Sequence, residues 1–278
     1  MKLIGIDLDG TLLNSRQNIS QKNTQILQSL PKDCFPFICS GREVDDINNI
    51  LKQSGLTIPA VGLNGSIGYD GDKKLFEFFF NKDDIKKIDS IVSKFPMKIY
   101  TNLGSYETKN YKDEMKRIFH KIGSEFSINE LNYELEYEKS ISSISYSSIE
   151  EIIQRNDIVV YKFFIFIPNR KMKKSIFNRL EKMTKITVTE SAAVNIEIIP
   201  HNVSKGIVFD HMESIYNLEK TLRFAIGDSL NDLSMFESAD VSFAMENGHQ
   251  IIKNKANYVT SSNDENGVSE AFEKILIM

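Results

Sequence analysis

Two carboxylates and a hydroxyl stand together in Asp7-Leu8-Asp9-Gly10-Thr11, directly after the apolar run Leu3-Ile4-Gly5-Ile6. A short aliphatic run of this kind predicts a buried β-strand, here with acidic groups at its carboxyl end. In an open α/β sheet that end is where ligands bind. Gly10 lets the chain leave the strand, so both carboxylates can turn toward one site. Carboxylates this close repel one another and take up protons unless a cation holds them. A hard divalent ion such as Mg²⁺, which prefers oxygen ligands, meets that need. The same residues also suit a polar turn with no chemistry, so the rest of the chain has to decide.

Three further stretches pair a structural boundary with polar residues. Cys34 to Cys39 runs into Ser40-Gly41-Arg42, and Leu222 to Ile226 runs into Gly227-Asp228-Ser229-Leu230-Asn231-Asp232. Ser204 can cap a helix that begins at Lys205-Gly206 and continues through Ile207, Val208, His211, Ile215 and Leu218. If all four loops share one edge of a sheet, Asp7, Asp9 and Asp228 meet one lysine with hydroxyl and amide donors. That set suits Mg²⁺ and an incoming phosphate dianion, because phosphoryl transfer is catalysed by positioning and charge neutralisation. Lys205 at a helix N-terminus would add backbone N–H groups to its ammonium in attracting an anion.

The elements that must position these loops follow from periodicity. A strand at residues 1–6, a helix through Ile19, Ile26, Leu27 and Leu30, a strand at 34–39, a helix through Val44, Ile47 and Leu51, and a strand at 58–63 alternate in sequence. That order predicts right-handed crossovers and a parallel sheet. From about residue 66 the pattern changes to a hairpin turn at Gly68–Asp72, a strand over Leu75–Phe80 and a helix from about Lys82 to Phe95. Residues 83–189 read as a separate α+β module with an antiparallel sheet, hinged at about 81–83 and 189–193. The first pattern is expected to return with a strand at Val194–Ile199. The expected fold is α/β: a Rossmann-like parallel-sheet core from residues 1–82 and 190–278, with an α+β module inserted at 83–189.

Composition excludes several classes. The chain has 278 residues, 41% hydrophobic and 26% charged, which is ordinary for one large domain or two moderate ones. With 34 basic against 38 acidic residues, the net charge of −4 gives no footprint for nucleic acid or an anionic membrane. The longest apolar runs are far below membrane-spanning length, and the first apolar run is too short for a signal peptide. Cys34 and Cys39 make no disulfide framework, and a cytoplasmic location is expected. The four histidines show no ligand spacing, so zinc is not expected, and His211 reads as a packed residue. Oligomeric state is not legible.

Taken together, Asp7-Leu8-Asp9-Gly10-Thr11, Ser40-Gly41-Arg42, Lys205-Gly206 and Gly227 to Asp232 resemble, in order and spacing, the four motifs of the haloacid dehalogenase superfamily. Asn64-Gly65, the insertion after the third strand, and Ala244-Met245 with Asn247 are similar to its Cof-type phosphatase branch. The resemblance implies that Asp7 is a nucleophile forming an aspartyl-phosphate, and that Asp9 protonates the leaving group and then activates water. It implies Mg²⁺ held by the carboxylates of Asp7 and Asp228 and the backbone carbonyl of Asp9. Ser40, Gly41, Lys205 and Asn231 would hold phosphoryl oxygens, and Asp232 would orient Lys205 or a metal-bound water. Thr11 is read as a support that caps the turn, and Arg42, which a solvated surface position would equally suit, is left without a role. The inserted module would act as a cap that reads the substrate, with Thr101–Gly104 and Thr189–Ser191 as candidate loops. Expected substrates are small phosphorylated metabolites, such as sugar phosphates or phosphorylated cofactors. Two rivals stay open: a phosphomutase or phosphotransferase on the same fold, and a non-catalytic binding or regulatory protein.

Overall fold

The computed structural model describes residues 1–122, 143–167, 169–190 and 194–278. The predicted hinge at 189–193 and the candidate residue Ser191 fall partly or wholly outside them. The chain divides into two compact units, Met1–Glu77 with Asn202–Met278, and Phe78–His201.

In the first unit the strands are β1 (Lys2–Ile6), β2 (Cys34–Cys39), β3 (Ala60–Gly62), β4 (Ile67–Asp70) and β5 (Lys73–Glu77). The strands of the second unit are β6 (Met97–Thr101), β7 (Gly104–Thr108), β8 (Ser143–Tyr146), β9 (Val160–Phe166), β10 (Ile186–Thr189) and β11 (Asn195–Pro200). The chain then returns to the first unit with β12 (Leu222–Gly227), β13 (Val241–Met245) and β14 (Tyr258–Thr260). Among the described residues the first sheet runs β14-β13-β12-β1-β2-β3-β4-β5. It is parallel from β14 to β3 and antiparallel at β4 and β5. Leu3 and Ile4 point to opposite faces of β1, and both are fully buried. A sheet covered on both faces needs strands that are apolar throughout rather than alternating, which is why β1 reads as a continuous aliphatic run. β1 lies between β12 and β2 in register, Ile6 opposite both Ile226 and Ile38. The residues that follow these three strands therefore leave the sheet at the same edge.

Among the described residues the second unit has a six-stranded sheet, β10-β11-β9-β6-β7-β8. Here the strands alternate. Met97, Ile99, Phe163, Ile165, Ile196 and Ile198 pack in one apolar cluster with Ile85, Ile88 and Val92 of the helix Lys82–Val92 and Ile176 and Leu180 of the helix Arg170–Leu180. The intervening positions carry Lys98, Lys162, Asn195 and Glu197, all buried. Lys162 Nζ donates to Glu197 Oε1 at 2.8 Å.

Four expectations change. The strand near 194–199 does not return to the parallel sheet: β11 pairs antiparallel with β9 and β10 in the second unit. The boundaries expected at 82/83 and 189/190 lie at 77/78 and 201/202. β11 is apolar enough for either sheet, and only its pairing separates the two. The strand expected over Leu75–Phe80 ends at Glu77, and Phe79 is exposed. The helix expected from Lys205 begins at Val208, so Lys205 occupies the turn before it.

Removing one member of a buried ion pair leaves the other charge uncompensated, at a cost of about 3–5 kcal/mol. Lys162→Met is expected to destabilise the second unit by about that amount in urea denaturation followed by circular dichroism. A loss within about 0.5 kcal/mol, the range of a typical surface change, would show that the pair contributes nothing to the fold.

Candidate active site

Every residue of the site belongs to the first unit. Asp7 follows β1 and its backbone N–H still pairs with Ile226 O at 2.9 Å, so the strand holds the main chain up to the first carboxylate. The chain then forms a wide turn over Leu8–Leu12, with Gly10 at φ 71°. A Cβ at Gly10 would lie 2.6 Å from Asp228 Oδ2, so only glycine lets the turn pass this close to the second acidic loop. The Gly10 carbonyl accepts from Asn247 Nδ2 at 2.8 Å.

Behind the turn, Lys205 ties two loops together. Its Nζ donates to Asp7 Oδ1 at 2.5 Å and to Asp232 Oδ1 at 2.6 Å, and all three side chains are buried. The other Asp232 oxygen accepts from the backbone N–H groups of Asp228 and Ser229, each at 2.9 Å. Asp228 accepts from Thr11 Oγ1 at 3.1 Å and from Ser229 Oγ at 3.2 Å. Asp7, Lys205, Asp232, Asp228 and Thr11 thus form one connected network from loops far apart in sequence, Thr11 and Asp228 being separated by 217 residues.

The electrostatics of this network are unbalanced. Carboxylate oxygens of Asp7, Asp228 and Asp232 lie within 4.8 Å of one another. Burial, then the Asp232 charge, pushes the Asp7 carboxyl well above the usual carboxylate range, against the pull of Lys205. The same two causes push Asp228 up to about 7. Burial works against the Lys205 ammonium, but Asp232 and Asp7 together raise it above an ordinary lysine. An all-oxygen donor set in which two acids resist ionisation fits a hard divalent cation, which would supply the missing positive charge.

Ser40 and Asn231 enter through a second set of bonds. Ser40 follows β2, is buried, and its Oγ accepts from the Arg42 backbone N–H at 3.3 Å. Its carbonyl accepts from Asn64 N at 2.9 Å, and Asn64 Oδ1 accepts from Asn231 Nδ2 at 3.4 Å. Gly41 lies between Ser40 and Arg42, whose carbonyl accepts from Leu63 N at 2.8 Å.

Asp9 is placed differently from the other acids. Its carboxylate is taken by Arg42 in a bidentate pair, Nε to Oδ2 at 2.8 Å and Nη2 to Oδ1 at 2.5 Å. Arg42 also bonds Asp46 and Gln17 and is only 8% exposed. The solvated reading of Arg42 is therefore wrong: it is a buried clamp on Asp9. Among the described residues the acidic cluster consists of Asp7, Asp228 and Asp232, without the Asp9 side chain. Gln17 and Asn64 were not singled out for chemistry by sequence, although Asn64-Gly65 stood out as a turn. His211, expected to be packed, lies against Phe76 with ring centroids 5.0 Å apart and the planes tilted by 39°.

A profile of the haloacid dehalogenase-like hydrolases matches residues 4–272. The chain belongs to that family. Among its relatives, the phosphatase YwpJ of Bacillus subtilis is 30% identical over 99% of this chain and 100% of that protein. The 5-amino-6-(5-phospho-D-ribitylamino)uracil phosphatase YwtE of the same species is 29% identical over 99% and 98%. A solved haloacid dehalogenase-like hydrolase from B. subtilis superposes with a TM-score of 0.83 at 28% identity, covering 98% and 99% of the two chains. This haloacid dehalogenase-type chain is a phosphatase, with the parallel-sheet core and inserted cap domain of that fold. No helix among its described residues is long and apolar enough to cross a membrane.

The raised acids give this phosphatase a pH signature. An unfolded aspartate titrates near about 3.9, and metal-free folded Asp228 titrates at about 7. Between those values the folded state binds more protons than the unfolded one, so stability falls as pH rises. The melting temperature of the metal-free protein is expected to drop from about pH 4 to pH 7 in this window, and millimolar Mg²⁺ to reverse the drop at pH 7. A melting temperature indifferent to Mg²⁺ at pH 7 would mean that the three acids hold no such ion.

Proposed function

We propose that this phosphatase is Mg²⁺-dependent and hydrolyses small phosphorylated metabolites, sugar phosphates or phosphorylated cofactors, through an aspartyl-phosphate on Asp7. The observation that carries the reading is the Asp7–Lys205–Asp232 network beside Asp228. Asp7 and Asp228, with the Asp9 backbone carbonyl, would hold the metal, and Asp232 borders the same acidic cluster. When bound, Mg²⁺ would neutralise charge on the transferred phosphoryl group.

In the first step an Asp7 carboxylate oxygen forms a bond to phosphorus as the bond from phosphorus to the leaving oxygen breaks. Asp9 gives its proton to that oxygen, and the product alcohol departs. In the second step Asp9 takes a proton from water, the water oxygen bonds to phosphorus, and the bond to Asp7 breaks. Lys205 keeps Asp7 oriented throughout and offers its ammonium to phosphoryl oxygens, together with Ser40, the Gly41 backbone and Asn231. Arg42 holds both Asp9 oxygens, so proton transfer at Asp9 requires one of those bonds to loosen. The inserted unit would select the leaving group, since binding energy away from phosphorus can be spent on the transition state. Thr101–Gly104 is one candidate loop for that contact.

The test is a Mg²⁺-dependent screen of phosphomonoesters that includes sugar phosphates and phosphorylated ribitylaminouracil, the substrate named for the YwtE relative. Free phosphate should appear. It should vanish in Asp7→Asn and fall in Asp9→Asn by at least the roughly 10²–10⁴-fold typical of losing a general acid or base. Conversion of one sugar phosphate to its isomer without phosphate release would assign the chain to the mutases. Turnover in Asp7→Asn equal to that of the wild type would reject the covalent route.

A further inference from the structure

The most contorted backbone in the first unit is a turn to which the reaction above assigns nothing. Leu63, Asn64 and Gly65 adopt positive φ in succession, at 52°, 59° and 103°. A leucine there is a genuine outlier, and such strain persists only where surrounding contacts over-determine it. The contacts run to three of the four motif loops. Leu63 N donates to the Arg42 carbonyl and Asn64 N to the Ser40 carbonyl, bracketing Gly41 on both sides. A Cβ on Gly65 would lie 2.5 Å from the Ser204 carbonyl, so the turn abuts the residue before Lys205. The buried Asn64 side chain reaches Asn231 on the acidic loop. In that arrangement the other side-chain atom of Asn231, Oδ1, is buried and has no hydrogen-bond partner. A buried acceptor left open is costly unless the site uses it. One Nδ2 hydrogen of Asn231 is committed to Asn64, and its second remains to be directed elsewhere.

We infer that Asn64 is a positioning residue for the phosphoryl group: the strained 63–65 turn presents its carboxamide to Asn231 and thereby fixes which way the Asn231 amide faces the anion. The inference rests on the phosphoryl-transfer reading and deepens it. Left-handed geometry is the reason for an asparagine here, because Asn tolerates that conformation while still carrying a donor and an acceptor. Glycine would keep the backbone and lose the amide. Alanine would lose both.

The experiment is a double-mutant cycle of Asn64→Gly and Asn231→Ala, read by calorimetric titration of inorganic phosphate into the Mg²⁺-loaded protein, with melting temperature as the folding control. Each single variant should melt close to the wild type and bind phosphate roughly tenfold more weakly, and the double variant should bind no more weakly than either single, as coupled neighbours do. Losses that multiply, or Asn64→Gly binding phosphate like the wild type, would overturn the inference. If Asn64→Gly does not fold, the same cycle is run with Asn64→Asp, which tolerates the same φ and keeps the acceptor oxygen for Asn231. The change at 64 should then have no further effect once Asn231 is alanine, and an undiminished effect would overturn the inference. Phosphate binding with no turnover of any phosphomonoester would reject the catalytic reading and leave this one standing. A wild-type protein that binds no phosphate would reject both.

Discussion

One buried ammonium shared between two carboxylates is the interaction on which the site depends. Lys205 bonds Asp7 and Asp232 at once, from a turn with almost no contact with solvent. Asp228 adds a third acid within reach of both. Three carboxylates against one ammonium leave two negative charges where burial penalises every one of them. The structure offers part of the compensation through backbone N–H groups on Asp232 and hydroxyls on Asp228. The net excess of two negative charges equals the charge of one divalent cation. Hydrogen bonding within the chain holds the acids in place, but it does not remove the excess.

That arrangement is possible because adjacent parallel strands end together. β1 lies between β2 and β12 in register, so Asp7, Ser40 and Asp228 leave the sheet at one edge although they are far apart in sequence. Glycines then set how closely the loops approach. Gly10 admits the Asp228 carboxylate, and Gly65 admits the Ser204 carbonyl. Backbone geometry therefore decides the spacing of the acids before any side chain is counted.

Much of this was legible in the residues themselves. Strand β1 and the acidic turn after it, the helix Gln21–Gln28, and the parallel order of the first three strands all follow local pattern. The misread elements are those whose local pattern is shared by two solutions. An aliphatic run such as β11 suits a parallel core strand or one in the second sheet, and long-range pairing alone separates them. Lys205-Gly206 reads as a helix start because the apolar periodicity begins there, yet the chain spends three more residues turning the ammonium toward Asp7. Arg42 was illegible for a related reason. An arginine at the start of a helix is usually solvated, and its partner Asp9 lies thirty-three residues earlier. The assignment of Asp232 to the acidic cluster likewise needed coordinates, since a helix-start aspartate is common without chemistry.

The balance of charge at Asp7, Asp228, Asp232 and Lys205 is the central claim, and proton release on metal binding measures it most directly. Calorimetric titration of Mg²⁺ into the metal-free protein near pH 6.5, repeated in buffers of different ionisation enthalpy, counts the protons displaced. Acids raised by burial and mutual repulsion must give up protons when the cation arrives, so the account predicts net proton release on Mg²⁺ binding, reduced in Asp228→Asn. Tight Mg²⁺ binding with no proton release, unchanged in that variant, would contradict it.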